Sequence, residues 1–121
     1  MIKTLGLTHI HLMVSDIQRS LKFYQQVFGM EVRFWAGEGL VFLNTPGSKD
    51  TIALHKAEEG AATGASGGIT HFGFQLENNQ DLDSAISAVI AAGGALKKRG
   101  EFMPGMPFAY VSDPDGYEIE L

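Results

Sequence analysis

The chain carries the same short pattern twice. Thr8-His9, inside "LTHIHLMV", returns as Thr70-His71 inside "GITHFGFQL", an offset of 71 − 9 = 62 residues in a chain of 121. A duplication of this length limits the fold more than composition does, because each copy must build one supersecondary unit that its neighbour helps to cover. In the first copy residues 7–14 alternate, with Ile10, Leu12 and Val14 on one face and His9, His11 and Met13 on the other. Ser15 with Gln18 reads as a capping box, and Ile17, Leu21, Tyr24 and Phe28 recur at helical spacing before Gly29 stops the helix. "MEVRFWA", "GLVFLNT" and "TIALHK" then read as short strands.

The second copy repeats the order. A strand over 68–76 precedes a helix with the apolar stripe Leu82, Ile86, Val89 and Ile90, which stops at Gly93-Gly94. "ALKKRG", "FAYVS" and "YEIEL" follow as strands. Gly93 matches Gly29 at an offset of 93 − 29 = 64, so the second copy gains about two residues, assigned to the "NN" at 78–79. The expected class is α+β, with two βαβββ modules pairing into a curved mixed sheet around a metal cleft. The chain reads as one domain: module 1 at about 5–57, a Gly/Ala/Ser hinge at 58–68, and module 2 at about 69–121. The hinge glycines precede a strand and lack a following Lys-Ser/Thr, which argues against a phosphate loop.

Composition excludes several function classes. There is no cysteine, so disulfides and thiolate metal sites are ruled out. The formal charge is −5, and the one basic cluster is "KKR" at 97–99, which disfavours nucleic acid as a partner. The opening residues show no apolar run of signal-peptide or membrane-spanning type, so the reading is a cytoplasmic protein away from membranes.

Period-two sorting places the polar residues. With the apolar members facing the helices, His9, His11, His71 and Gly73 point to the opposite side, as do Ala53, His55, Glu118 and Glu120. All four histidines and two carboxylates therefore gather on one predicted surface. Two imidazoles and one carboxylate with open positions suit Fe(II), the favoured ion, and also admit Mn, Ni, Co or Zn. Three protein ligands leave room for substrate oxygens, which a closed structural site would not. His9 and His71 hold equivalent places in the two copies, and of the two carboxylates Glu120 is the expected ligand, with Glu118, nearer the turn, at the rim.

Three stretches, "THIHLMVSDIQRSLKFYQQVFGM", "ITHFGFQL" and "YVSDPDGYEIEL", together resemble the vicinal oxygen chelate superfamily. Glyoxalase I, extradiol dioxygenases, fosfomycin-resistance enzymes and bleomycin-resistance proteins belong to it. The resemblance covers nearly the whole chain and implies paired βαβββ modules, often in a homodimer, with a divalent metal held by His9, His71 and Glu120. A fourth ligand of glyoxalase type would fall at Ala53, opposite Glu120 when "DTIAL" is aligned with "YEIEL", and is absent. The histidine of the ring-cleavage signature is missing from "GEFMPGMPFAY", whereas Tyr110 stands where such enzymes keep a tyrosine. Fosfomycin enzymes continue past the glutamate, and this sequence ends at Leu121, which sets it apart from them. His11, His55 and Tyr110 are the acid–base candidates. The expectation is a metal-dependent dioxygenase or a glyoxalase-like lyase or isomerase acting on a small oxygen-chelating substrate. The competing one is a non-catalytic ligand-sequestering protein of bleomycin-resistance type, its groove lined by Trp35, Phe42, Phe102, Phe108 and Tyr110.

Overall fold

A computed structural model describes residues 1–65, 67–78 and 80–121. Ser66 of the hinge and Asn79 of the inferred insertion lie outside the described residues. The first copy forms β1 (Ile10–Val14), α1 (Ile17–Phe28), β2 (Glu31–Trp35), β3 (Leu40–Asn44) and β4 (Ile52–Lys56). The second forms β5 (Phe72–Gly73), α2 (Leu82–Ala91), β6 (Ala95–Glu101), β7 (Pro107–Ser112) and β8 (Glu118–Glu120). The α+β class and the repeated strand–helix–three-strand order stand. The strands fall into two four-stranded mixed sheets, ordered β1-β4-β3-β2 and β5-β8-β7-β6. In each, the first strand runs parallel to the last and the remaining pairs are antiparallel. β1 and β5 are the edges of their sheets and share no ladder, and a single chain displays no metal cleft among its described residues.

Two local expectations need correction. The α1 cap is Asp16, whose carboxylate accepts from the Arg19 amide at 3.0 Å, and not the Ser15/Gln18 box. Ser15 is one residue too early, and its amide and hydroxyl are engaged elsewhere. The strand expected over 68–76 pairs only at Phe72–Gly73, because its partner β8 is itself three residues long. One further bond extends it, from the Phe74 amide to the Glu120 carbonyl at 2.9 Å.

The apolar faces of both modules feed one core. Leu12, Val14, Val41, Leu43, Ile52 and Leu54 from the first sheet meet Ala109, Val111 and Ile119 from the second, through Phe23, Tyr24, Ile86 and Val89 of the helices. Burying each large side chain here contributes about 1.5–3 kcal/mol. Phe28 of α1 stacks on Phe74, ring centroids 4.0 Å apart, which ties the end of the first helix to the second module. Gly94 marks the tightest approach. A methyl there would collide with the Ser112 carbonyl oxygen, and would lie 2.7 Å from Val89 Cγ1 and 3.0 Å from Phe23 Cε2. Gly94→Ala is therefore expected to destabilise the protein by about 2–3 kcal/mol, seen as a lower urea midpoint with an unchanged slope.

The "DPDG" turn between β7 and β8 does more than reverse the chain. The Asp115 side chain is 1% exposed. Its Oδ1 accepts from the Ser15 amide at 2.9 Å, the Ser15 hydroxyl at 2.7 Å and the Thr63 hydroxyl at 2.9 Å. Its Oδ2 accepts from the Ser20 hydroxyl at 3.1 Å and lies 3.4 Å from the Arg19 guanidinium. Gly64 makes this docking possible, since at φ +87° it packs where a Cβ would sit 2.5 Å from the Asp115 carbonyl oxygen. Beside it, buried Tyr24 donates to Asp113 Oδ2 at 2.8 Å, while Asp113 Oδ1 accepts from the amides of Asp115 and Tyr117. One turn of the second module thus fastens the start of α1 and the hinge.

Candidate functional site

Each sheet keeps one face for the core and leaves the other open. On the second sheet the register sets Gly73, Glu120, Tyr110 and Lys98 in a row across β5, β8, β7 and β6. His71, just before β5, closes on that row: its Nε2 donates to Glu120 Oε2 at 3.0 Å, and its ring lies 4.9 Å from the Tyr110 ring. Both side chains of the pair stay partly open, 30% for His71 and 27% for Glu120. Phe108 lies over Gly100, where a Cβ would meet the ring at 3.1 Å, and stacks on Phe102 at 4.4 Å. Glu118 occupies the same face one row away, opposite Ser112.

The open face of the first sheet carries the other histidines. His11 and His55 project from the parallel neighbours β1 and β4, in register with Ala53 and Met13. Their Nε2 and Nδ1 atoms lie 3.0 Å apart, one imidazole donating to the other. Phe42 is in register with Ala53 on this face and stacks on Phe34 at 4.5 Å. Trp35 does not line it. A register shift between Val32 and Phe34 sets Trp35 against Val41 on the core side and turns Phe34 to the open side.

His9 precedes β1. Its Nδ1 lies 2.7 Å from the Thr8 hydroxyl, and the ring borders a small cavity of about 160 Å³ with Ile52, Phe72 and Phe74. A separate cavity of about 430 Å³, between the β1 and β5 edges, takes His11 and His71 on its wall with Leu7, Ile69, Tyr117 and Glu118. The structure therefore brings His71 to Glu120 and Tyr110, and His11 to His55. Among the described residues of one chain no three His, Asp or Glu side chains come together. The period-two rule assigned the faces but missed Lys98 and the threonines beside His9 and His71. The repeated Thr-His dipeptide was the signal that could have found the threonines.

The donor set suits a divalent ion. An imidazole nitrogen and a carboxylate oxygen are donors such ions take, and here the 3.0 Å between His71 Nε2 and Glu120 Oε2 is that of the hydrogen bond the two make with each other. The electrostatics of the neighbouring turn differ. Burial raises the Asp113 carboxyl above its usual range, and burial with the adjacent Asp113 raises the Tyr24 phenol. Burial also pushes Asp115 upward, but the bonds from Ser15, Thr63 and Ser20 outweigh it and hold that carboxyl below its usual range.

The chain's similarities to known proteins agree with this layout. It is 31% identical over 126 residues to the lactoylglutathione lyase of Haemophilus influenzae, covering 93% of this chain and 88% of the relative. It is 29% identical over 119 residues to the trivalent organoarsenical cleaving enzyme of Bacillus sp. strain MD1, covering 93% and 70%. Its fold matches, with a TM-score of 0.77 and 23% identity, a mutant of the fosfomycin resistance protein FosX from Listeria monocytogenes solved with Mn(II) and 1S,2S-dihydroxypropylphosphonic acid; 98% of this chain and 90% of that one are covered. No helix among the described residues is long and apolar enough to cross a membrane. With the model of the Glyoxalase/Bleomycin resistance protein/Dioxygenase superfamily matching residues 6–121, the duplicated modules and their histidine-bearing faces place this chain in that superfamily.

Proposed function

We propose that this chain is a divalent-metal enzyme acting on a small substrate through two vicinal oxygens, with His9, His71 and Glu120 as the metal ligands. The observation that carries the reading is the His71–Glu120 pair at 3.0 Å on an open sheet face beside Tyr110. The bound ion would supply Lewis-acid polarisation of the substrate oxygens, or an O2 site if it is Fe(II). Tyr110 and Lys98, next in the same row, would orient the substrate. His11 and His55 on the facing sheet would hold or pass a proton at whichever ring nitrogen their mutual bond leaves free. The named lyase relative favours non-redox chemistry over oxygenation.

The site is completed between two copies in this reading. Within one chain His9 stands apart from His71 and Glu120, and each open face exposes large apolar groups. Phe34 and Met13 do so on the first sheet, and Phe102 lies beside the face of the second. A partner's first sheet set against this chain's second would cover both faces and deliver the third ligand.

Metal analysis of protein purified without chelators should find one divalent ion per chain, lost in His9→Ala and in Glu120→Ala. Co-refolding those two variants in equal amounts should restore about a quarter of the sites, because each mixed dimer regains one intact site of its two. No recovery would place the site within one chain. Full metal retention in both single variants would sink the ligand assignment. Tight ligand binding by metal-free protein without turnover would favour sequestration on the aromatic faces. Activity under anaerobic conditions with Zn, Ni or Co separates lyase or isomerase chemistry from oxygenation, which needs Fe(II) and O2.

A further inference from the structure

The Thr-His dipeptide that reveals the duplication also makes the same contact in both copies. Thr8 Oγ1 lies 2.7 Å from His9 Nδ1, and Thr70 Oγ1 lies 3.1 Å from His71 Nδ1. These two histidines are the ones proposed above as metal ligands, and the inference rests on that reading. The other two, His11 and His55, bond to each other and have no such threonine.

An imidazole that ligates through Nε2 must carry its proton on Nδ1, and something must accept that N–H. With no ion between them, a His71 Nε2 3.0 Å from the Glu120 carboxylate, an acceptor only, carries a proton, and in the neutral ring Nδ1 then presents a lone pair. Loading an ion between Nε2 and Glu120 reverses this arrangement. A partner for Nδ1 must then be a donor before loading and an acceptor afterwards. A carboxylate serves only the second state, whereas a hydroxyl serves both by turning its own proton. We infer that Thr8 and Thr70 are positioning residues, hydroxyl latches that fix the Nδ1–H tautomer of His9 and His71 when metal is bound and release it when metal leaves.

Both threonines are exposed, so their replacement spares the core. The test titrates Zn2+ into the full chain in competition with a chromophoric chelator. Thr70→Val and Thr8→Val should each weaken Zn2+ binding about tenfold, and the double variant about a hundredfold. Thr→Ser at either position should restore native affinity, since it returns the hydroxyl without the methyl. Long-range nitrogen–proton NMR correlations supply a readout independent of activity. His71 should move from the Nε2–H form to the Nδ1–H form on Zn2+ loading, and Thr70→Val should leave a mixture. Native affinity in the valine variants, while His71→Ala still weakens binding, would overturn the latch and leave the ligand assignment standing. Serine variants as weak as the valine ones would also overturn it, because the hydroxyl would then not be the cause. Unchanged affinity in His71→Ala and Glu120→Ala would remove the ligand assignment and the latch together.

Discussion

Glu120→Ala is expected to weaken divalent-metal binding by at least about a hundredfold and to abolish turnover, with little change in stability. Loss of a supporting group outside a ligand set already costs about 10–100-fold, and loss of the one carboxylate in the proposed set should cost more. The stability side follows from the backbone. Glu120 sits in β8, between β5 and β7; its carbonyl accepts from the Phe74 amide whatever its side chain, and the next residue, Leu121, exchanges both main-chain bonds with Ala109 beside β8. The Glu120 carboxylate is partly exposed and, among the described residues, pairs with His71 alone; a pair in such a setting is worth about 1 kcal/mol or less. Calorimetry with Zn2+ and a thermal melt of the metal-free variant check the two halves. Metal loss with an unchanged metal-free melt fits a ligand. A fallen melt with intact metal binding would mark Glu120 as a structural residue.

Asp115→Ala should do the reverse, and we expect a loss of about 3–4 kcal/mol. The substitution removes at once the shared acceptor of Ser15, Ser20 and Thr63 and the charge beside Arg19; buried Ser20 and half-buried Thr63 lose a bond that water replaces poorly, while the exposed Ser15 and Arg19 turn to solvent. That is a large share of the roughly 5–15 kcal/mol typical of a domain, and equilibrium denaturation measures it directly. The pH dependence has a definite sign. The Asp115 carboxyl is held below its ordinary value of about 3.9, so its contribution is fully present above that value and is lost as pH falls through the lower folded one. The gap between native and Asp115→Ala stability should thus stay constant from neutrality to about pH 4 and close below it. Asp113 acts in the opposite sense. Burial raises its carboxyl, so the folded chain takes up this proton first, and the group favours the folded state as pH drops toward about 4. A gap that closes well above pH 5 would mean that the Asp115 charge is not what the surrounding hydroxyls hold.

Much of the site could be read from alternation alone. Glu120 stands opposite Ile119 in facing, His71 opposite Phe72 and His55 opposite Leu54, because a strand exposes every second side chain to the same side. The rule failed where a strand departs from regularity. The register shift between Val32 and Phe34 exchanged the faces of Phe34 and Trp35, since one extra residue inverts every side chain beyond it. It also could not say that His11 would find His55, which depends on the stagger of two strands forty-four residues apart.

From the sequence alone came the duplication, the element order, the facing of His11, His55 and Glu120 within their strands, and the superfamily. These follow from short-range periodicity and from residues that recur at a fixed offset. That all four histidines share one surface did not follow, since His11 and His55 lie on the first sheet, His71 and Glu120 on the second, and His9 apart. The tertiary structure alone decided that the two modules share one core through their helices, leaving both histidine faces open. It alone showed Asp115 fastening a helix start one hundred residues earlier in the chain, and Phe28 of the first helix stacking on Phe74 of the second module. Those facts depend on hydrogen bonds and packing between segments brought together only by folding, and no local pattern encodes them.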